Sequence, residues 1–447
     1  MGKTFQEFAW TGLQKARQMG ADSAELFVVK SRSLEVEIKD GSLDEIKQSD
    51  SQGVGLRILR GNRQGFSFSS DFRNSALDKM VMQAIANSHY SDEEPARYFP
   101  GKSAYYPQID LYDSTMGSYT LDEKLELAQE TARQAEQWSK QVSRIERSGY
   151  EEGDIEIWLA NSNGILLQQR GNYCGLFCLA LGEKNGEQQS GYGMDSSIAL
   201  RELSPKRAGQ MAGKRAVQLL GARPVASGRM DLVLEPTITM QILGIISACF
   251  SGEAVQKQKS FLAGKLGQLV ASKELTLIDD GTLPNRLGSA SFDGEGTATQ
   301  RTILLENGVL QNYLYDCLSA AKVNTVSTGN GMRSSYKGVP HVGCSNYYLA
   351  AGNQSPEELV AAVRRGIYVT EILGAHTANP VSGDFSFGAS GILIEKGKLV
   401  RPVRGITIAG NFQKLLQKVN GVANDLIFYG SQGAPTIRIA DMVVSGT

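Results

Sequence analysis

Metal chemistry is the first possibility to test, because the chain has three histidines: His89, His341 and His376. A protein zinc site needs three or four nitrogen, sulfur or oxygen ligands, which are usually clustered. The three histidines are scattered, and neither HExxH nor HxH occurs. His341 and Cys344 have the spacing HxxC, which favours a loop histidine near a buried cysteine. The sequence therefore predicts no metal site in this chain.

Nucleophilic chemistry has three weak candidates. Ser319–Lys322 and Ser334–Lys337 match SxxK, but the supporting SDN and KTG elements are missing and no GxSxG occurs. Cys317 could act as a nucleophile if a histidine lay beside it in the fold. A catalytic cysteine or serine therefore stays open as an alternative.

Phosphate-binding and aspartic-protease patterns point to structure instead. The run Gly383–Gly388 alternates like a strand and does not open a helix, so we expect a strand with close backbone approach. Asp280-Gly281-Thr282 resembles an aspartic-protease triplet, but it occurs once, and a dyad needs two carboxylates. We predict a turn at this triplet.

Composition narrows the class of protein. The chain has 46 Lys and Arg against 47 Asp and Glu, which argues against a general nucleic-acid binder. Its 49 glycines and 12 prolines favour many tight turns. Five cysteines without a CxxC suit a reducing compartment. With no signal-peptide pattern and no apolar stretch long enough to span a bilayer, we expect a cytoplasmic protein without a membrane partner.

These patterns predict an α+β fold that is β-rich, with short hairpins and flanking helices. We place an N-terminal α+β domain at residues 1–222 and a C-terminal domain at 223–447, because Gly221–Pro224 has loop chemistry. The C-terminal half is predicted to hold a glycine-rich, mostly antiparallel sheet or barrel-like core.

Local signals predict individual elements of both domains. Apolar alternation around residues 24–38, followed by Asp40-Gly41, predicts a strand that enters a hairpin. Residues 144–197 are typical of a β-meander, and residues 91–117 of a long loop. Helices are predicted from Ser204-Pro205, from Thr237, and from Ser355 to Gly366.

Several ordered motifs in the C-terminal half resemble the TldD/PmbA family, which is also called modulator of DNA gyrase. The motifs are FSGEAVQK at 250–257, SFLAGKLG at 260–267, the run from Ser382 to Phe412, VAND at 422–425 and GAPT at 433–436. In this family, TldD-type chains resemble metallopeptidases that hold a metal with HExxxH and a late cysteine. PmbA-type chains, also called TldE, lack those ligands and pair with a TldD-type chain.

The resemblance places this sequence in the PmbA/TldE branch. Gly252 and Lys257 stand where the two histidines would be, and Glu253 remains where the glutamate would be. The run Gly430–Gly433 lacks the late cysteine. The resemblance thus implies no metal in this chain, with zinc expected in a TldD-type partner. We expect Glu253 to be a solvated or capping carboxylate that can pair with Lys257.

The implied function is a subunit, inactive in proteolysis by itself, that binds extended or unfolded peptides and completes the cleft of a metal-bearing partner. The partner is a TldD-type chain in a heterodimer, or a second copy in a homodimer. Residues that would face the peptide by resemblance are Gly383, Asp384, Phe385, Gly388, Asn424 and Asp425. Two alternatives remain, a regulatory homodimer related to gyrase modulation and an independent metal-free peptidase.

Overall fold

The computed structural model describes residues 5–446, and its first half is built around one six-stranded sheet. The chain enters this sheet through two helices and three strands: α1 (Phe5–Gln18), β1 (Ser23–Lys39), β2 (Ser42–Arg60), β3 (Arg63–Ser69) and α2 (Asn74–Ser88). The predicted turn joins β1 to β2, since Asp40 and Gly41 both have a positive φ and Lys39 pairs with Ser42.

The sheet continues after a long loop. Residues 91–117 contain neither an α-helix nor a paired strand, as predicted, apart from an isolated bridge at Glu93 and the start of a short turn of 3-10 helix. The next elements are α3 (Leu121–Glu136), β4 (Val142–Asn161), β5 (Leu166–Lys184), β6 (Glu187–Ser197) and α4 (Pro205–Val217). These elements confirm the predicted meander and the helix that begins at Pro205.

The strand order in this sheet is β3-β2-β1-β4-β5-β6, and each neighbouring pair is antiparallel. The central pairing therefore joins β1 to β4, which lie more than a hundred residues apart in the chain. Helices α1 and α2 cover apolar side chains of the sheet such as Leu26, Leu56 and Ile58. Helices α3 and α4 cover Tyr150, Leu176 and their neighbours.

The second half holds two further six-stranded sheets and a two-stranded sheet. Its helices and strands are β7 (Gly228–Leu234), α5 (Pro236–Ser247), α6 (Gly252–Gln256), β8 (Leu277–Asp280), β9 (Arg301–Glu306), β10 (Val309–Leu310), α7 (Cys317–Lys322), β11 (Gly331–Met332), β12 (His341–Val342), β13 (Tyr347–Leu349), α8 (Pro356–Ala361), β14 (Arg365–Leu373), β15 (Asp384–Glu395), β16 (Lys398–Asn411), α9 (Phe412–Gln417), β17 (Val419–Val422), β18 (Ile427–Tyr429), β19 (Gln432–Ala434) and β20 (Ile437–Ser445).

One of these sheets closes on itself. Its order is β16-β15-β14-β7-β20-β17, and an additional pairing of β16 with β20 completes a barrel-like ring. The other sheet has the order β10-β9-β8-β13-β19-β18. Helix α5 packs its buried face, which includes Ile238, Ile242 and Ile246, into the large apolar core between them. The fold is thus α+β with a barrel-like C-terminal core, as predicted.

One detail differs from the expectations. The helix that begins after Ser355 ends at Ala361 instead of continuing to Gly366, because residues from Arg365 onward pair as β14. Parallel pairs also occur, β14 with β7 and β13 with β19, in sheets that are otherwise antiparallel. Among residues 5–446, no helix is both long enough and apolar enough to cross a membrane.

Candidate functional site

The segment Gly252–Lys257, which stands where TldD-type chains have HExxxH, forms helix α6 and its C-cap. Its charged side chains are paired with each other. Ser251 caps the helix by accepting a hydrogen bond from the backbone N–H of Ala254 at 3.4 Å. Lys257 Nζ lies 2.5 Å from Glu253 Oε1, and the two side chains are 56% and 47% exposed. Such an i,i+4 pair contributes only about 0.2–0.5 kcal/mol. Glu253 is therefore a solvated carboxylate with a lysine partner, as expected from the sequence.

Gly252 lies so close to Tyr315 that a side chain could be added only if Tyr315 or the backbone moved. Its backbone N–H donates to the carbonyl oxygen of Leu314 at 2.8 Å. A Cβ atom on Gly252 would lie 2.2 Å from Cε1 of Tyr315, which is far inside van der Waals contact. The ring of Tyr315 therefore occupies the space that a histidine side chain would need at this position.

The residues present at α6 do not fit a zinc ion. One ligand position has no side chain, and the other holds an ammonium group that pairs with Glu253. In the part of the chain that the structure describes, no three His, Cys, Asp or Glu side chains come together in a group that could hold a metal. The late-cysteine region holds Gln432 instead, whose side-chain amide packs against Gly244 of α5.

The loop between β14 and β15 contacts the residues just before α6. Cys249, just before α6, donates its thiol hydrogen to the carbonyl oxygen of Pro380 at 3.3 Å. Burial raises the pKa of Cys249 to about 11, so this thiol is neutral at pH 7. The contact places the β14–β15 loop, which ends at Gly383, beside the entry to α6.

Three of the residues predicted to face a peptide lie where this loop meets β15. Gly383 has φ +82°, a conformation that favours glycine. The exposed carboxylate of Asp384 accepts hydrogen bonds from Asn411 Nδ2 at 2.8 Å and Ser382 Oγ at 2.9 Å, and these bonds lower its pKa. The side chain of Phe385 is 5% exposed and stacks on Phe387 and Phe412, so it belongs to the core.

The remaining predicted residues lie elsewhere. Gly388 pairs with Thr407 within the barrel-like sheet. Asn424 is exposed, and Asp425 accepts from both the N–H and the hydroxyl of Thr436, at 2.8 and 2.7 Å. Thr436 is next to Ile437, which pairs with Leu234 near the start of α5. Helix α6 follows the other end of α5. A 12-residue helix is about 18 Å long, so the structure does not bring Asp425 and Glu253 together.

Cys317 does not have the surroundings of a nucleophile. It is 1% exposed, and its backbone N–H donates to Glu295 at 2.7 Å. Burial raises the pKa of its thiol well above the usual value, and the nearby carboxylates of Glu295 and Asp293 raise it further. A thiol must ionise to attack a substrate, so this environment disfavours the cysteine-peptidase alternative.

The structure also reveals a buried charge cluster that the sequence did not indicate. Arg57 of β2 contacts Glu25 of β1 at 3.1 Å and Glu295 at 3.2 Å, and Arg333 also bonds to Glu25. All four side chains are 6% exposed or less. Burial alone would lower the pKa of Arg57, but Glu25 and Glu295 raise it above its usual value. We name Glu25, Arg57, Glu295 and Arg333 the junction cluster, since it joins the two halves of the chain.

A fifth buried charged side chain, Asp293, lies next to the junction cluster. Its carboxylate accepts hydrogen bonds from the backbone N–H groups of Glu295, Thr297 and Gly331, at 2.8–3.0 Å. Burial and the charge of Glu295 nevertheless raise its pKa to about 7. Asp293 therefore holds a proton more tightly in the folded protein than a solvated aspartate does.

Comparison of the chain with known proteins identifies its family. Three domain models of one metallopeptidase family match residues 24–88, 116–220 and 227–446, and they are described as PmbA/TldA metallopeptidase domain 1, central domain and C-terminal domain. The first two matches lie within residues 1–222 and the third within 223–447. The chain belongs to the PmbA/TldD family.

Relatives from both branches of the family align over nearly the whole chain. A metalloprotease of Methanothermobacter thermautotrophicus is 30% identical and covers 93% of this chain and 94% of its own length. Metalloprotease PmbA of Escherichia coli O157:H7 is 25% identical over 99% of this chain and 96% of its own. A TldD homologue of Haemophilus influenzae is 28% identical over 95% of this chain and 93% of its own.

Solved structures share the fold. A Thermotoga maritima protein named for a proposed role as a modulator of DNA gyrase superposes with a TM-score of 0.90 at 27% identity, covering 99% of this chain and all of its own. TldE from Thermococcus kodakarensis superposes with a TM-score of 0.88 at 23% identity, covering 99% of this chain and all of its own.

Proposed function

We propose that this chain is a PmbA/TldE-type subunit of a cytoplasmic peptidase complex, with no catalytic metal of its own. It binds extended peptide and completes the cleft of a TldD-type partner that carries HExxxH and zinc. Family membership and the metalloprotease names of the relatives support a role in proteolysis.

The observation that carries this proposal is the packing of Gly252 against Tyr315 beside the Glu253–Lys257 pair. Metallopeptidase chemistry needs a metal to lower the pKa of a bound water and to polarise the substrate carbonyl. It also needs a carboxylate to move the proton. Of these parts, α6 retains only the carboxylate of Glu253, and that carboxylate has no metal-bound water to act on.

Substrate positioning remains available to this subunit. An extended peptide can add to a sheet edge through backbone hydrogen bonds, so that binding does not depend on its sequence. Holding a substrate in reactive geometry can lower a barrier without any catalytic side chain. The exposed Asp384 and the Gly383 turn, beside the entry to α6, are our candidates for contacts with such a peptide.

The test is a reconstitution with a TldD-type chain that carries HExxxH. We expect the isolated chain to hydrolyse unfolded peptides at the background rate and the mixture to show hydrolysis that a chelator abolishes. Glu253→Gln in this chain should leave the mixture active, whereas the matching glutamate-to-glutamine change in the HExxxH of the partner should abolish activity. Elemental analysis should find zinc in the partner.

Two results would overturn the proposal. One is chelator-resistant hydrolysis by the lone chain that Cys317→Ala or Glu253→Gln stops, which would establish an independent enzyme. The other is a TldD-type chain that does not copurify with this chain and whose activity and peptide affinity are the same with and without it.

A further inference from the structure

A surface groove lies along β3, an edge strand of the first sheet. Its volume is about 630 Å³. One wall is β3 from Phe66 to Ser69, and the other is the side of α2 that bears Lys79, Gln83 and Asn87. Lys337, from the second half of the chain, closes one part of the rim.

The register of the β2–β3 hairpin directs unpaired backbone groups into this groove. Arg60 and Arg63 close the two-residue turn, so Gly65, Ser67 and Ser69 exchange hydrogen bonds with β2. The N–H and C=O groups of Phe66 and Phe68 therefore point away from β2. Asn87 Nδ2 donates to the carbonyl oxygen of Phe66 at 2.8 Å. No other strand of residues 5–446 pairs with β3 along residues 64–69.

The groove carries a net positive charge. Arg73 is neutralised by Asp71, whose carboxylate lies 2.6 Å away. Lys79 and Lys337 form no salt bridge within the described chain. The aromatic ring of Phe68 also lines the groove and is 52% exposed.

We propose that this groove binds an extended peptide segment rich in acidic residues, as an added strand on β3. The peptide backbone pairs with the free N–H groups of Phe66 and Phe68 and with the free carbonyl of Phe68. Because side chains alternate along a strand, those on the α2 face of the added strand reach Lys79, and those on the opposite face, which bears Phe68 and Tyr336, meet Lys337 and the Phe68 ring. Acidic side chains on each face therefore meet a lysine. No residue of α6 lines the groove, so this binding site goes beyond the proposed peptidase role and stands independently of it.

The first experiment measures fluorescence anisotropy with the full chain and two labelled peptides of equal length. One repeats Glu-Glu-Val and the other repeats Lys-Lys-Val, so that charged side chains lie on both faces of the added strand. We expect the acidic peptide to bind at least about tenfold more tightly, since two lysines change from attractive to repulsive partners. The difference should shrink as salt is added. Equal affinity for the two peptides, or no binding of either at millimolar protein, would overturn the proposal.

The second experiment locates the binding. The double variant Lys79→Glu, Lys337→Glu should lose at least about tenfold in affinity for the acidic peptide. A matched double variant, Lys206→Glu with Lys398→Glu, changes the net charge equally at exposed sites outside the groove and should bind as the original chain does. Equal losses in both double variants would show that only net charge matters and would contradict a built groove.

The third experiment tests the backbone pairing. Phe68→Pro removes an N–H that β2 does not use, whereas Phe68→Ala removes the ring and keeps the N–H. We expect weaker binding for Phe68→Pro than for Phe68→Ala. Circular dichroism checks that both variants fold. If Phe68→Pro does not fold, the lysine variants decide the proposal.

Discussion

The guanidinium of Arg57 on β2 lies 3.2 Å from the carboxylate of Glu295 in the second half of the chain, and both side chains are almost completely buried. They are 238 residues apart in sequence. Since Arg57 also binds Glu25, one cation ties two carboxylates from different halves of the protein together. This contact makes the first sheet and the C-terminal half dependent on each other for stability.

We predict that Arg57→Ala lowers the free energy of unfolding by about 3–5 kcal/mol, because it leaves the buried carboxylate of Glu295 without its paired cation and Glu25 with Arg333 alone. Urea denaturation followed by fluorescence measures the loss. Arg170→Ala is the control, since Arg170 pairs with Asp154 at 48% and 33% exposure, and it should cost at most about 1 kcal/mol. Equal losses in the two variants would mean that the junction cluster does not couple the halves.

Stability should depend on pH through Asp293. Its pKa is raised from 3.8 to about 7 on folding, so the folded state binds more protons than the unfolded state between these values. The free energy of unfolding should therefore fall as pH rises from about 4 to about 7. Asp293→Asn should flatten this part of the profile. Asp384→Asn should not, because the pKa of Asp384 is lowered and its contribution is lost only at acid pH.

Gly252→Ala should destabilise the protein by about 1–3 kcal/mol, as overpacking of a filled site does. The reason is the 2.2 Å approach that the new Cβ would make to the Tyr315 ring. Gly117→Ala is the control, since a Cβ there meets no atom within 4 Å. Thermal unfolding of the two variants checks the difference. If Gly252→Ala were neutral, the steric argument against a histidine at this position would fail.

Cys317 should resist alkylation by iodoacetamide at pH 8 in the folded protein, because burial and two carboxylates hold its thiol protonated. Peptide mass spectrometry after a timed reaction gives the extent of labelling. The same cysteine should react readily in denaturant. Rapid labelling under native conditions would reopen the cysteine-peptidase alternative.

Much of the local structure was predictable because its signals are short-range. Asp40-Gly41 favours positive φ at both turn positions, and Ser204-Pro205 supplies a cap and a first helical residue. The ion pair between Glu253 and Lys257 follows from helical spacing alone. The shortened helix after Ser355 was not predictable in the same way, because its end is fixed by the pairing of β14 with β7 and β15.

The sequence by itself determined the alternation, the caps and the turns, since each depends on residue types a few positions apart. Its resemblance to the family indicated the replaced metal ligands. Tertiary structure alone decided what surrounds them. Glu25 stands at a polar position of an alternating strand, yet it is fully buried because Arg57 and Arg333 neutralise it there. Tyr315 fills the space beside Gly252 from 63 residues away, and Lys337 reaches a groove formed by β3 and α2. Such contacts join residues that are distant in sequence, and no local pattern specifies which distant residues will meet.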